Sequence, residues 1–254
     1  MAIIVEGRYR ARLAETAQDL RKAQRLRWRC FLGRTAPDDG DGLDADALDA
    51  ECSHLLIEDT RTGELAACCR FLVLEKGEDI GRSYSAQYYD LGRLATYDTP
   101  MVEMGRFCVD PSRRDPDILR LAWRALSQQI DAARAGLLFG CSSFVGTEPD
   151  QYADAFAMLR ARHLAPRRWL PRVKAPQVFR FARALRLMTP DPRRAMAAMP
   201  PLLRSYLAMG GWVSDHAVVD RQLNTLHVFT GVEIGAIPPA RQRWLRGTAQ
   251  AVNP

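Results

Sequence analysis

The chain has 254 residues, 47% of them hydrophobic and 26% charged, with a formal net charge of +6. This is the composition of a soluble globular protein, long enough for one large domain or two small ones. No window approaches the roughly 18 apolar residues that span a bilayer, and the apolar run ahead of Glu6 is too short for a signal-peptide core, so a cytoplasmic protein is expected. Cys30, Cys52, Cys68, Cys69, Cys108 and Cys141 show no C-x-x-C spacing. Neither a zinc site nor a disulfide framework is indicated, and no metal is expected.

In chain order, residues 9–29 read as a helix, because Leu13, Leu20, Ala23, Leu26 and Cys30 recur at three- and four-residue steps. Residues 35–50 form an acidic loop with Asp38, Asp39, Asp41, Asp44, Asp46 and Asp49. It lacks the ligand order and the closing Glu of a calcium loop. Residues 54–59 and 65–73 read as a hairpin turned at Thr60-Arg61-Thr62-Gly63. His54 and Asp59 match the H-x4-D spacing of glycerolipid acyltransferases. Five residues apart on a strand they point to opposite faces, so no dyad is expected.

Next comes Val102-Glu103-Met104-Gly105-Arg106-Phe107-Cys108-Val109-Asp110-Pro111, a strand ended by Asp-Pro. A Glu and an Arg on so apolar a strand are costly to bury unless paired or used. Glu103 could take a proton from an amine, and the Arg106 fork could hold a carboxylate or phosphate. The alternative is a structural ion pair. A helix over 117–134, a buried strand over 137–145 and a helix over 152–163 follow. Beyond them prolines break the pattern, leaving helices near 193–209 and 238–250 around a strand at 225–229. This order predicts an α/β fold with a mixed sheet and helices on its faces.

Charge is uneven. Residues 160–254 hold 16 Lys/Arg against 4 Asp/Glu, and residues 1–159 hold 20 against 26. The basic third predicts an anionic partner. Apolar residues interleaved at Trp169-Leu170-Pro171-Arg172-Val173-Lys174 and Phe179-Arg180-Phe181-Ala182-Arg183 favour a lipid surface or a docked protein. No nucleic-acid motif is present, and no nucleic-acid partner is expected.

The order of elements resembles the GNAT acyltransferase superfamily. Four blocks narrow it: Leu26-Arg27-Trp28-Arg29-Cys30-Phe31, Asp49-Ala50-Glu51-Cys52-Ser53-His54-Leu55-Leu56, Cys69-Arg70-Phe71-Leu72 and Glu103-Met104-Gly105-Arg106. They are similar to the blocks of acyl carrier protein-dependent amino-acid N-acyltransferases, of which N-acyl-homoserine lactone synthases share a sparser form. Leu138-Phe139-Gly140-Cys141-Ser142-Ser143-Phe144, Met199-Pro200-Pro201-Leu202-Leu203-Arg204-Ser205-Tyr206-Leu207 and the Asp220 and His227-Val228-Phe229 region resemble the ornithine N-acyltransferase branch.

The resemblance implies a GNAT-like mixed central sheet flanked by helices, with a core over 1–165 and a helical basic extension over 166–254. It implies an acyl chain on the phosphopantetheine arm of acyl carrier protein as donor, with no other cofactor, and L-ornithine as acceptor. Glu103 would be the base. Backbone N–H groups near Phe107 or Cys108 would hold the oxyanion, with Val109 beside the donor arm. Tyr152, Ser142 or Ser143 could assist the leaving thiolate. Arg70 or Arg106 could clamp the acceptor carboxylate, and Asp49 or Glu51 its side-chain ammonium. Arg27, Phe31 and His54 are block positions, and Arg27 could instead fix the first helix to the acidic loop.

One departure stands out. Where coenzyme A-dependent relatives carry a Gly-rich turn, this chain has Ser112-Arg113-Arg114-Asp115-Pro116, and Arg113 and Arg114 would face the single phosphate of a carrier-protein arm or an acidic helix of the carrier, the alternative being a solvated turn. The alternatives are a homoserine lactone synthase, an acyltransferase for another amino acid, and a non-catalytic basic protein on membranes. The product would partition into lipid, so peripheral contact with an anionic inner membrane face is expected.

Overall fold

The computed structural model describes residues 3–33, 42–113 and 115–246. The segment expected as one helix from residue 9 divides at Thr16. Ile4–Glu6 (β1) and Tyr9–Leu13 (β2) are antiparallel strands joined at Gly7, whose φ of 58° suits glycine. In β2, Tyr9 and Ala11 are buried while Arg10 between them is exposed, the period of a strand rather than a helix. The Thr16 side chain then accepts a hydrogen bond from the Asp19 N–H and opens α1, Ala17–Phe31.

The hairpin is Ser53–Asp59 (β3) and Leu65–Leu74 (β4). A one-turn helix, Ser85–Tyr88 (α2), runs into Tyr89–Asp90 (β5). The Glu103 strand is Met101–Val109 (β6), and Arg106 within it has φ 52°. A non-glycine residue there is strained by about 1–2 kcal/mol. Pro116–Ala132 (α3), Leu137–Val145 (β7) and Ala153–Arg162 (α4) follow within two residues of expectation.

The last third carries more strands than its proline-broken sequence suggests. They are Arg172–Val173 (β8), Val178–Phe179 (β9), Trp212–Val213 (β10), Ala217–Asp220 (β11) and Thr225–Glu233 (β12). The helices are Phe181–Ala184 (α5), Pro192–Ala198 (α6), Pro201–Ala208 (α7) and Pro239–Arg246 (α8). The helix expected over 193–209 is two. Pro200 and Pro201 cannot continue α6, and Pro201 sits in the first turn of α7, where its missing N–H costs nothing. No described helix is long and apolar enough to cross a membrane.

The chain folds as two units. The first takes the described residues up to Val73, Met104–Arg134 and those from Pro239 onward. The second takes Leu74–Glu103 and Ala135–Pro238, so residues 165 and 166 both lie inside it. In the first unit β1, β2, β3 and β4 lie in that order. α3 packs on β2 and β3, and α8 on α3. Ala23 and Leu26 of α1 meet Leu56, Cys68 and Cys108, with Cys30 and Phe31 at the edge. Phe31 is therefore a packing residue of this cluster.

In the second unit Met101–Glu103 pairs in parallel with Leu137–Phe139. β7 pairs antiparallel with β12 over nine residues, β12 with β11, and β11 with β9. The pleat gives β7 two faces. Phe144, with Leu226 and Val228 of β12, meets Phe156 and Leu159 of α4 and Phe181 of α5 in a closed core. Phe139, Cys141 and Ser143 point the other way. In register, Glu103 neighbours Phe139 and His227 neighbours Ser143, so Glu103 and His227 share that second face.

Candidate active site

Three arginines and three aspartates meet in the first unit. Arg27 comes from the buried side of α1 and is 1% exposed. Its Nε donates to Asp44 Oδ2 at 2.9 Å, its Nη1 and Nη2 to Asp49 Oδ1 and Oδ2 at 2.8 Å, and Nη2 also to the Asp44 carbonyl. Arg70, from β4, donates through Nη1 to Asp46 Oδ1 at 2.5 Å and Asp49 Oδ1 at 2.6 Å, and through Nη2 to Asp46 Oδ2 at 2.7 Å. Arg106, from β6, donates through Nε to Asp44 Oδ2 at 3.0 Å. Gln24 Nε2 adds a bond to Asp49 Oδ2 at 2.9 Å. His54 Nε2 lies 3.0 Å from the Asp49 carbonyl. A carbonyl only accepts, so this nitrogen carries the hydrogen, and burial lowers the His54 pKa and keeps the ring neutral.

The charges in this cluster balance. Asp49 accepts through both oxygens, and the two terminal nitrogens of Arg70 are held by Asp46. The arrangement locks the segment after Gly42 onto α1, β4 and β6. Arg27 thus ties the first helix to the acidic loop, the second of its two expected roles. Glu51 is exposed at the end of the Ala47–Ala50 turn. His54 and Asp59 form no dyad: Asp59 accepts from Arg8 at 2.6 Å and from Arg113 at 2.6 Å.

The network makes stability acid-sensitive. Burial alone would raise the carboxyl pKa of Asp49 and Asp46, but hydrogen bonds from Arg27 and Gln24 to Asp49, and from Arg70 to Asp46, hold both below the usual range. Folded values below the unfolded value near 3.8 mean that the stabilisation is present above about pH 4 and is lost as pH falls through the folded values. Equilibrium urea unfolding should give a midpoint that is flat from pH 7 to 5 and falls toward pH 3. Asp49→Asn should lower the midpoint at pH 7 by about 1–3 kcal/mol of stability and flatten the acid slope. An unchanged slope would remove Asp49 from this role.

Glu103 is held within the second unit and is 5% exposed. Its Oε2 accepts from the Tyr84 N–H at 2.8 Å, and its Oε1 from the Ser85 N–H at 2.8 Å and the Ser85 hydroxyl at 2.6 Å. Ser85 Oγ also lies 3.5 Å from Cys141 Sγ. Glu103 is bonded to the start of α2, and Arg106, on the same strand, to Asp44. Tyr84 and Ser85 were not expected. A carboxylate gripped by backbone N–H groups 18 and 19 residues earlier leaves no spacing signal.

The hydroxyl candidates separate. Tyr152 donates to the Val145 carbonyl at 2.6 Å and packs on Phe144. Ser142 is buried on the face opposite Glu103 and accepts from Thr230 Oγ1 at 3.0 Å. Ser143 is exposed on the Glu103 face. Among the donor-side candidates, Cys108 is buried, 3.6 Å from Cys68 Sγ, and Phe107 and Val109 are half-buried. Arg113 donates to Asp59 and, at 2.8 Å, to Glu64. Arg114 lies outside the described residues. Asp115 caps α3 by accepting from the Asp117 N–H at 3.0 Å.

The acetyltransferase (GNAT) domain family matches residues 26–124. The chain is 36% identical over 230 residues to the L-ornithine N(alpha)-acyltransferase of Rhodobacter capsulatus, covering 87% of this chain and 88% of that protein. It is 33% identical over 246 residues to the protein of the same name from Rhizobium meliloti, covering 89% and 80%. Among solved structures it is similar to FeeM, an N-acyl amino acid synthase from uncultured soil microbes, with a TM-score of 0.53 at 9% identity over 92% of this chain and 98% of that one. That last likeness speaks to the fold alone. Identity above 30% along most of both partners, with Glu103 held on the strand that the blocks single out, leads to one conclusion: the chain belongs to the L-ornithine N(alpha)-acyltransferase family.

Proposed function

We propose that the chain transfers an acyl group, 3-hydroxylated or not, from acyl carrier protein to the α-amine of L-ornithine, giving lyso-ornithine lipid. The observation that carries this reading is the 36% identity to a relative of that name along most of both chains. The chemistry asked of the residues is modest. Glu103, directly or through a water, takes a proton from the α-ammonium. The freed amine attacks the thioester carbon, the C–S bond breaks, and the pantetheine sulfur leaves as a thiol carrying the second proton lost by the nitrogen. Three donors fix the Glu103 carboxylate in place, which is the orientation such a base needs.

Two features support a carrier-protein donor over coenzyme A. The turn before α3 has no glycine to bring backbone amides around a pyrophosphate. The N-terminus of α3, an anion site in principle, is capped by the carboxylate of Asp115. Purified protein with ornithine and matched donors tests this. N-acylornithine should form, with kcat/KM at least about 100-fold higher for the acyl carrier protein than for the acyl-coenzyme A. Absence of N-acylornithine with either donor would overturn the reading, and equal donor efficiency would overturn the donor assignment.

Peripheral contact with anionic membrane belongs to the same reading. Arg168 and Arg172 are two-thirds exposed, and each cation at an anionic surface is worth about 1 kcal/mol. Co-sedimentation with anionic vesicles at low salt, lost at high salt, is the expected result. Indifference to such vesicles would leave these cations to the acidic carrier protein.

A further inference from the structure

The face of the second unit that carries Glu103 holds buried polar chemistry that its packing does not use. β11 and β12 pair Val218 with His227 and Asp220 with Thr225, so the side chains of Asp220, Thr225 and His227 project from one side of the sheet. Asp220 is 6% exposed and His227 2%. Asp220 Oδ2, Thr225 Oγ1 and His227 Nε2 are buried and have no hydrogen-bond partner among the described residues. Buried polar atoms are almost always satisfied, so three together on one face ask for an occupant.

The state of His227 follows from Tyr89. The Tyr89 hydroxyl lies 2.7 Å from the His227 carbonyl and 3.3 Å from His227 Nδ1. Its one hydrogen goes to the carbonyl, which can only accept. Its contact with Nδ1 therefore requires Nδ1 to donate. Burial pushes the His227 pKa down to about 4, so the ring is neutral at pH 7. Nε2 is then a bare lone pair. The free atoms are a carboxyl oxygen, a hydroxyl oxygen and an unprotonated ring nitrogen, which are three acceptors. His216 Nε2, also buried without a partner among the described residues, lies across the Tyr89 ring, with centroids 5.2 Å apart.

Three unpartnered acceptors on one face, one of them a carboxyl oxygen, suit a primary ammonium with its three N–H donors. The place also matches. Ser85, bonded to Glu103, reaches Cys141 on this face, and Ser143, two residues on, is the register neighbour of His227. Strand geometry puts the nearest of the three, His227, about 8 Å from Cys141, against roughly 6 Å between the two nitrogens of an extended ornithine.

We infer that Asp220, Thr225 and His227 bind the side-chain ammonium of the acceptor and so select an α,ω-diamino acid. The inference rests on the reading that ornithine is acylated at its α-amine by way of Glu103. An acceptor with an aliphatic side chain would leave all three atoms buried and unpaired, a strong ground for rejection.

The test compares ornithine with norvaline, which keeps the carbon skeleton and the α-amine but lacks the side-chain nitrogen. Wild type should favour ornithine by at least about 100-fold in kcat/KM. Asp220→Asn keeps an oxygen for the Leu223 N–H that Asp220 Oδ1 accepts at 3.0 Å but removes the charge. It should reduce the ornithine-to-norvaline ratio by roughly 10- to 100-fold. Thr225→Val, close in shape, should reduce it several-fold and keeps the test open if Asp220→Asn folds poorly. A purely structural defect lowers both substrates and leaves the ratio alone. An unchanged ratio in both variants, with wild type still making N-acylornithine, would overturn the ammonium pocket and leave the proposed function standing. A wild-type ratio near one would also overturn the pocket. No N-acylornithine from wild type would overturn the proposed function, and this pocket with it.

Discussion

Arg27→Met is expected to destabilise the protein by about 3–5 kcal/mol, the usual result of breaking a buried charged network from one side. Four donated bonds disappear together, three to carboxylate oxygens of Asp44 and Asp49 and one to the Asp44 carbonyl. Asp44 keeps Arg106, and Asp49 keeps Arg70 and Gln24, so the network would be short one positive charge while still buried. For a chain of this length the loss corresponds to a fall in Tm of about 10 °C. Arg27→Lys should rescue little, because one ammonium cannot reach two aspartates with the planar fork of a guanidinium. Asp49→Asn in the Arg27→Met background should cost less than in wild type, since the cluster is then closer to neutral. Thermal unfolding of the two single variants and the double variant measures this coupling. Additive losses would show that the network is a set of independent contacts.

Glu103→Gln should lower kcat by roughly 10²–10⁴-fold, the range for a lost general base. The side chain also has a structural duty. Its oxygens face the N–H groups of Tyr84 and Ser85, one on each side. An amide has only one oxygen, so in either orientation its NH2 meets a backbone N–H. That adds about 1–3 kcal/mol of destabilisation. Ser85→Ala separates the two effects, because it removes only the hydroxyl donor to Oε1 and leaves both backbone bonds in place. Its kcat should fall less than about tenfold. If Glu103→Gln, assayed well below its own Tm, turns over near the wild-type rate, the base lies elsewhere and the carboxylate only positions α2.

How legible these parts were differed by their physical origin. β3, β4, β7, α3 and α4 carry long hydrophobic periods, and their ranges follow from the residues. β2 was missed because Leu13 fits both a helical stripe and a strand. Thr16, which divides them, shows its capping role only once its hydroxyl meets the Asp19 N–H. β5, β8, β9 and β10 have two residues each, too few for any period, and exist only because a partner strand is present. In the site, Glu103 was readable as a costly carboxylate on an apolar strand. The acidic loop was readable as charge but not as structure. Asp44, Asp46 and Asp49 are spaced like a solvated turn, and only the Ala47–Ala50 turn aims them at arginines 17 to 62 residues away. Asp220 and His227 belonged to a resembling region, but their unpartnered atoms become visible only when β11 and β12 pair.

The division of the chain has a consequence for its biosynthesis. A growing chain delivers β1 to β4 first, then leaves the first unit for the stretch from Leu74 to Glu103, returns for Met104–Arg134, and leaves again for about a hundred residues before α8 arrives to cover α3. β6 is itself divided, its first three residues serving one unit and the rest the other. Neither unit is a continuous stretch that could be excised and expressed alone. The first cannot complete its core until α8 has left the ribosome. Until then the apolar side of α3 that meets α8 is exposed, a condition under which nascent chains aggregate or engage chaperones. Closing contacts over such sequence distances is also slow, so lowering the synthesis temperature should raise the yield of soluble protein more than strengthening any single local element would.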